Sequence, residues 1–444
     1  DYRNQYINRL NQNLKLSAGI SYNWAFRNIS LQPEYNYAYS YIKTDNPLYR
    51  LDKISGRDSS LFDRLPSATS ILATVLDNGN TYHFTEYQNS HQFNFCYRDL
   101  HSKLLKCEIS VNLPVRIAHA NLYYQRMGRH DVSRQSIFFE PNIWLRGNAW
   151  EIKAKMNSEL PDLTTMVNYR DDSNPMNIIL GNMQLRNIHY YDIEGGKTFE
   201  GKKHSRLNIN MGYHQTDNAV AYSLVFDKQT GVSTVQPISV NGNYRMDLGI
   251  GYTRPLDKKE KLSIDNQASF NYNHNVDMAM VQGATQSQRS IVNNWKISNV
   301  LKLNYRLDDN YEFTLHGGGT YYLIKSQREG FSNIHAGDYN IGMNAQITLP
   351  WKLQLTTDLT MFARRGYQLS EMNTTDWIWN AQLSRSFINK KLLVKLQGFD
   401  MLRQLSNTQY LMNAQGKTET WNNSIPRYVM LSLSWRFNVN PKKK

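Results

Sequence analysis

The sequence predicts an all-β protein and, more narrowly, a transmembrane, antiparallel, up-and-down β-barrel. Three observations lead to this fold class. Apolar and polar residues alternate along many stretches, the connections between these stretches alternate between short and long, and the polar positions are rich in Lys, Arg, Asp, Gln and Asn. A period of two residues is that of a strand with two different faces. Short turns at one end and long loops at the other are typical of an up-and-down barrel.

The alternation is clearest near the two ends of the chain. Near the beginning, single polar or small residues separate Leu14, Leu16, Ala18, Ile20, Tyr22 and Trp24. At the end, the stretch RYVMLSLSWRFN (427–438) alternates in the same way, and so do residues 262–272, 295–307, 341–349 and 351–363. Helical spacing is not sustained anywhere.

The polar face of these strands predicts which side meets lipid. In a soluble barrel the apolar face points inward, but the charged and amide residues here require an aqueous interior, so the apolar face is expected to contact lipid. The alternative is a large soluble β-protein. A helical membrane protein is excluded because the longest apolar run, AVAYSLVF (219–226), is far shorter than the ~18 residues that a membrane helix needs.

Residues 1–444 are expected to form one barrel domain of about 17 strands, which begins near residues 12–24 and ends near 426–437. The short connections are RGNA (146–149), RLDDNY (306–311), LPWK (349–352) and INKK (388–391). The long ones lie near 43–81, 159–202, 277–289, 325–337, 364–375 and 403–425. If the last strand finishes in the periplasm, the first one runs inward from outside. Because bacterial barrels usually have even strand numbers, we expect an upstream portion that completes about 22 strands.

Other chemistry receives little support from the sequence. Cys96 and Cys107 are expected to point to opposite faces and therefore to remain unbridged. No zinc-ligand spacing occurs, DDSN (171–174) resembles a turn more than a calcium loop, and the 11 His residues form no Ser-His motif. We therefore expect no enzyme activity, no metal and no cofactor. The net charge of +14 comes without a nucleic-acid motif, so we expect no nucleic-acid partner.

The stretch PDLTTMVNYRDDSNPMNIILGNMQLRN (161–187) resembles a segment of TonB-dependent outer-membrane receptors, especially the Bacteroidota outer-membrane β-barrel family. The matching residues are Asn174, Pro175, Gly181, Asn182 and Leu185, whereas Met183 and the pair Asn187-Ile188 depart from the pattern. The stretches DKQTGVSTVQPISVNGN (227–243) and TDWIWNAQLSRSFINKKLLVKLQGFDML (375–402) are also similar to that family. The resemblance implies an N-terminal plug and a TonB-contacting segment upstream of Asp1.

The resemblance also implies a function, namely uptake of a bulky nutrient through external loops and a plugged lumen. A surface scaffold or adhesin, or a passive porin, is the alternative. The expected partners are outer-membrane lipid and lipopolysaccharide, the barrel assembly machinery, TonB and an unknown nutrient. The terminal strand, with Tyr428, Leu433, Trp435 and Phe437, is similar to the signal that the assembly machinery recognises. The net positive charge, if it lies on loops and lumen, would favour anionic ligands or contacts with lipopolysaccharide, and binding would then be lost in high salt.

Two groups of residues are candidates for the site. We expect the lumen wall to include Lys296, Lys302, Arg306, Lys352, Asp358 and Arg436, where the simplest role is solvation and pairing with a plug. We expect Tyr190, Tyr191 and Trp421 to lie in external loops, where their rings can stack on a ligand or pack the loops together.

Overall fold

The computed structural model describes residues 4–54, 65–66, 70–102, 105–280, 283–405, 408–413, 416–422 and 425–437. Within these ranges no helix is long and apolar enough to cross a membrane. A short α-helix, α1, covers Ser70–Thr74. Helical turns of the 3-10 type cover Leu51–Lys53, Leu163–Met166, Pro350–Lys352 and Ser370–Met372.

The remaining regular structure consists of strands. In chain order they are β1 (Gln5–Ile7), β2 (Leu10–Ser21), β3 (Trp24–Phe26), β4 (Ile29–Asn46), β5 (Leu48–Arg50), β6 (Tyr82–Asp99), β7 (Glu108–Asn112), β8 (Val115–Gln125), β9 (Val132–Phe139), β10 (Asn142–Gly147), β11 (Trp150–Glu159), β12 (Arg170–Asp171), β13 (Asn177–Leu180), β14 (Ile188–Glu200), β15 (Arg206–Asp217), β16 (Ala219–Phe226), β17 (Ser233–Val240), β18 (Asn243–Pro255), β19 (Leu262–Ala279), β20 (Gln288–Arg306), β21 (Tyr311–Ser326), β22 (Ile334–Leu349), β23 (Leu353–Arg365), β24 (Thr375–Phe387), β25 (Leu392–Phe399), β26 (Thr408–Asn413), β27 (Gly416–Trp421) and β28 (Tyr428–Trp435).

Twenty of these strands form one sheet in which every neighbouring pair is antiparallel. At three places in this sheet, two consecutive strands lie end to end beside the same neighbour, and each such pair counts as one strand position. β2 and β3 both pair with β4, β7 and β8 both pair with β6, and β9 and β10 continue each other along β8 and β7. The described residues therefore occupy seventeen strand positions, which confirms the predicted up-and-down arrangement and its strand number.

The sheet has two edge strands, β2 and β28. Among the described residues β2 pairs only with β4, and β28 pairs only with β25. Because seventeen positions alternate in direction, β2 and β28 run the same way. A direct pairing between them would be parallel, unlike every other pairing in this sheet.

Strand β6 shows which face of the sheet is interior. Phe84 belongs to a buried cluster with Leu163 from the connection after β11, so this face is covered by the chain itself. Glu86 and Gln88 follow Phe84 at alternate positions on the same face. The opposite face carries Phe93, which is 53% exposed. The polar face is thus the interior and the apolar face is the lipid side, as predicted.

The same division of faces holds at the final strand. Val429, Leu431 and Leu433 lie on the apolar face and are between 63% and 70% exposed. Leu431 lies opposite Leu396, and Leu433 lies opposite Val394. This strand therefore contributes to the apolar surface that a barrel presents to lipid.

The connections alternate between two ends of the barrel, which we call the turn end and the loop end. The turn end comprises 27–28, 100–107, 148–149, 201–205, 256–261, 307–310, 350–352 and 388–391, together with 436–437 after the last strand. The loop end comprises 47–81, 126–131, 160–187, 218–242, 280–287, 327–333, 366–374 and 400–427. The prediction of one long connection over 159–202 was wrong, because β14 occupies most of its second half.

Cys96 and Cys107 are both free.

Three smaller sheets belong to the loop end. β1 pairs with β5, and β26 pairs with β27. β12, β13, β17 and β16 form a four-stranded sheet, in which β13 and β17 run parallel. The strand β16 contains the apolar run AVAYSLVF, which the sequence had singled out without assigning it a place.

Candidate functional site: an interior cavity behind an inserted segment

The connection 160–187, which we call the inserted segment, packs against the interior face of the barrel wall. Leu163, Met166 and Leu185 are each 1% exposed. They form one apolar cluster with Phe84 of β6 and Leu122 of β8, among others. An apolar contact in an otherwise polar lumen holds the segment inside the barrel, since detaching it would return these side chains to water.

The residues that carried the family resemblance give the inserted segment its shape. Asn174 accepts a hydrogen bond at its carbonyl from the amide of Asn177 (3.0 Å), and Pro175 occupies the second position of this turn. Gly181 lies against Val167, whose carbonyl oxygen would be 1.8 Å from a Cβ at that position. Only glycine permits this approach of two backbones.

Asn182 connects the inserted segment to the neighbouring hairpin β16–β17. Its amide donates to the carbonyl of Thr165 (2.9 Å), and its side-chain Nδ2 donates to the carbonyl of Pro237 in β17 (2.9 Å). Its Oδ1 accepts from the amide of Gln184 (2.9 Å). The hairpin therefore supports the inserted segment through a direct hydrogen bond.

Arg126 fixes the tip of the inserted segment to the barrel. The side chain is 1% exposed and extends from the connection between β8 and β9. It donates to the carbonyl of Gly79 (3.0 Å), to Asn80 Oδ1 (2.5 Å) and to Asp171 Oδ1 (2.9 Å). Its guanidinium also lies 4.6 Å from the centre of the Tyr169 ring. One cation thus joins two connections of the loop end and the inserted segment.

The carboxyl group of Asp171 is kept ionised by this contact. Burial acts to raise its pKa, but the hydrogen bonds from Arg126 and from the amide of Ser173 (3.0 Å) outweigh burial and leave the pKa below its ordinary value. The pKa of Arg126 is raised despite burial, because Asp171 stabilises its charged form.

Between the inserted segment and the wall lies an open cavity of about 770 Å³. Its lining combines aromatic rings, amides and hydroxyls with a few charges. The rings are those of Tyr82, Phe84, Tyr124, Tyr169 and Tyr222; the amides are Asn11, Gln12 and Asn13; the charged groups are Arg9, Glu86, Asp162 and Asp171. Such a lining suits a ligand with apolar faces and several hydrogen-bonding groups.

A second interior feature is a row of polar side chains across five adjacent strands. Lys155 Nζ lies 3.4 Å from Asp192, whose carboxylate is 2.5 Å from Nδ1 of His214. Nε2 of His214 lies 3.4 Å from Asp247, to which Asn271 also donates. This row links polar side chains of five strands through direct contacts on the interior face.

The structure places the predicted lumen-lining residues in two groups. Lys296, Lys302 and Asp358 are on the interior face; Lys296 Nζ lies 5.9 Å from the ring centre of Tyr322, and Lys302 lies opposite His316. Arg306 is the last residue of β20 and pairs with Asp309 of the following turn (2.8 Å). Lys352 lies in the turn between β22 and β23 with φ 58°, and Arg436 follows β28. These two residues thus lie outside the wall strands, at the turn end, and their contact with the lumen stays a prediction.

The predicted loop aromatics are also divided. Tyr190 and Tyr191 lie in β14, not in a loop, so that part of the prediction was wrong. Tyr190 lies opposite Asn157 on the interior face and donates to Glu159 (3.2 Å), whereas Tyr191 lies opposite Met156 on the lipid face. Trp421 ends β27 in the loop-end hairpin and is 69% exposed. Its contact with a ligand stays a prediction.

The residues of the predicted terminal signal do not share one face. Leu433 and Trp435 lie on the lipid face, whereas Tyr428 lies on the interior face and stacks on Phe399 with ring centres 4.5 Å apart. Phe437 follows the strand and is 82% exposed. Recognition by the assembly machinery stays a prediction.

No group of three or more His, Cys, Asp or Glu side chains arranged to hold a metal ion occurs in the part of the chain that the structure describes. The stretch DDSN forms a turn in which Asp171 accepts from Ser173, as the sequence suggested.

Charge is unevenly distributed between the two ends. The described residues of the turn end contain four acidic groups, Asp257, Glu260, Asp308 and Asp309. The same residues of the turn end include eleven basic groups: Arg27, Lys106, Lys202, Lys203, Lys258, Lys259, Lys261, Lys352, Lys390, Lys391 and Arg436. The described residues of the eight loop-end connections include eleven basic and eleven acidic residues. The described connections of the loop end therefore carry no net positive charge, and the excess lies at the turn end.

The match to a family model agrees with this architecture. Residues 285–435, which include strands β20 to β28, match the outer membrane protein beta-barrel family. The fold and this match together define an outer-membrane β-barrel. Among solved structures, a protein described as "Copper transporter OprC" aligns with 98% of this chain and 81% of its own, with a TM-score of 0.35 and 8% identity. That similarity is too distant to indicate a ligand. No curated protein matches the chain.

Proposed function

We propose that this chain is the barrel of a bacterial outer-membrane receptor of the TonB-dependent type, which takes up a bulky nutrient. The observation that carries the proposal is the interior cavity, which is bounded by the barrel wall on one side and by the inserted segment on the other. The resemblance of 161–187 to Bacteroidota receptors supports the same reading.

The number of strands supports an uptake function, because a barrel of this size is not filled by its own wall side chains. Barrels of about eight strands are filled by their own side chains, whereas much larger ones enclose a channel or a plug. Seventeen strand positions with a polar interior leave space that the inserted segment only partly fills. A receptor of this type closes the remaining lumen with a plug, which TonB moves when ligand is bound.

The proposal assigns partners but no catalysis. The lipid face would contact outer-membrane lipid and lipopolysaccharide, β28 would be read by the assembly machinery, and TonB would act through a region upstream of Asp1. The nutrient is unidentified, and the chain is given no enzymatic role and no cofactor.

Intact mass and conductance of the native protein test the proposal. We expect protein extracted from outer membranes to have a mass well above the 51.8 kDa of this chain, because a plug is included. In planar bilayers it should show no steady conductance until the plug is displaced by denaturant. A mass of 51.8 kDa with a steady open channel would instead establish a passive porin, and the same mass without any channel would favour a scaffold or adhesin.

A further inference from the structure

The turn end carries pairs of basic and apolar side chains next to each other. Phe26 and Arg27 are neighbours, as are Trp351 and Lys352, and Arg436 and Phe437. The three rings are between 70% and 82% exposed. None of these three cations forms an ion pair with a described residue. An exposed ring beside a cation that has no ion-pair partner is the combination found where protein meets the interface of a membrane.

The turns lie directly at the border of the apolar surface. Leu392 follows the turn 388–391 immediately and lies opposite Trp435 on the lipid face. Leu353 likewise follows the turn 350–352 and lies opposite Leu349. No polar segment therefore separates the cations of these turns from the lipid-facing residues.

The cations also gather into two clusters. In the first, the amide of Arg436 donates to the carbonyl of Lys391 (2.8 Å), which brings Lys390, Lys391 and Arg436 together. In the second, His204 lies 2.8 Å from Glu260. This contact joins the turn that contains Lys202 and Lys203 to the next turn.

We propose that the turn end is a binding surface for anionic glycerophospholipids of the leaflet that it contacts. The phosphate groups of such lipids meet the cations, while the exposed rings enter the upper part of the acyl layer. Charge complementarity supports this partner, because the turn end has a large basic excess and the loop end has none. The inference does not depend on what the lumen transports.

Quenching of tryptophan fluorescence by brominated lipids tests the proposal. The native protein extracted from outer membranes is reconstituted in phosphatidylcholine vesicles that contain either brominated phosphatidylglycerol or brominated phosphatidylcholine, and the ratio of the two binding constants is measured. We expect a ratio above one that decreases with salt. In the variant Lys202→Gln/Lys203→Gln/Lys390→Gln/Lys391→Gln, the ratio should fall towards one, by at most about five-fold for each removed charge.

A matched control removes the same charge from the loop end. Lys53→Gln/Arg170→Gln/Arg186→Gln/Arg403→Gln should leave the lipid preference of the native protein unchanged. A heat-dependent shift in electrophoretic mobility establishes that both variants are folded. The proposal is overturned if the native ratio is one, if the turn-end variant keeps the native ratio, or if both variants lose it equally.

Discussion

Replacing Arg126 with alanine should release the tip of the inserted segment while leaving the barrel intact. The substitution removes one guanidinium that donates to Gly79, Asn80 and Asp171. It leaves the Asp171 carboxylate without its charge partner and takes the cation away from the Tyr169 ring. The wall strands keep all their backbone hydrogen bonds.

The magnitude follows from burial. Breaking a buried ion pair costs about 3 to 5 kcal/mol. Because the Asp171 side chain keeps 32% of its surface exposed, water can solvate part of the carboxylate that remains, and we take the lower limit, about 3 kcal/mol. That energy corresponds to about a hundred-fold change in the equilibrium between attached and detached states.

Hydrogen exchange measured by mass spectrometry would detect this change. Amides in 167–176 should exchange about a hundred-fold faster in the Arg126→Ala variant, whereas those of β14 should not change. Arg129→Ala is the control, because Arg129 lies in the same connection but pairs with Asp131 at the surface, where its side chain is 69% exposed. If 167–176 exchanges equally in both variants, Arg126 does not hold the segment.

The pH dependence of the same exchange provides a further check. The pKa of Asp171 is lowered from 3.8 by the attached state, so the contribution of its ionised form is complete above that value. It is lost as the pH falls through the lower pKa of the attached state. After correction for intrinsic exchange rates, acid should therefore loosen 167–176 in the native protein and have little further effect on Arg126→Ala.

Two more substitutions test other parts of the structure. Gly181→Ala would place a Cβ 1.8 Å from the carbonyl of Val167, so it should destabilise the inserted segment by more than about 1 kcal/mol in the same exchange assay. Gly249→Ala, where a Cβ would meet nothing within 4 Å, should not. Leu431→Arg puts a charge on the lipid face and should lower folding stability in vesicles by about 2 to 4 kcal/mol, whereas Ser432→Arg on the interior face should have a small effect. Equal losses for the last pair would contradict the assignment of faces.

The sequence was informative wherever a strand has two different faces. The alternation placed Leu431 and Leu433 on one side of the strand and predicted that this side contacts lipid. Such a prediction is possible because side chains of a strand alternate between its two faces, which here differ in polarity. It was less informative where a strand ends. Tyr190 and Tyr191 follow a stretch rich in Asn, Asp and Pro, so they looked like loop residues, although β14 had already begun at Ile188.

The inserted segment could not be predicted from periodicity. Leu163 and Met166 belong to a 3-10 turn of four residues, which is too short to produce a periodic pattern, and Leu185 comes from a distant part of the segment. One signal was nevertheless present in the sequence. The apolar run of β16 does not alternate as the wall strands do, and β16 indeed lies outside the barrel wall, in the four-stranded sheet of the loop end. The partnership of Arg126 with Asp171 joins residues 45 positions apart and had no local signal.

The wall strands and the inserted segment are held in different ways, so different constraints act on their evolution. Each wall strand is tied to its neighbours by a continuous ladder, so a length change there would shift the register and turn lipid-facing residues inward. The inserted segment has no such tie to the wall; side chains such as Arg126 and Leu185 hold it. Its length and composition can therefore vary, and with them the shape of the cavity, while the membrane-embedded framework stays the same.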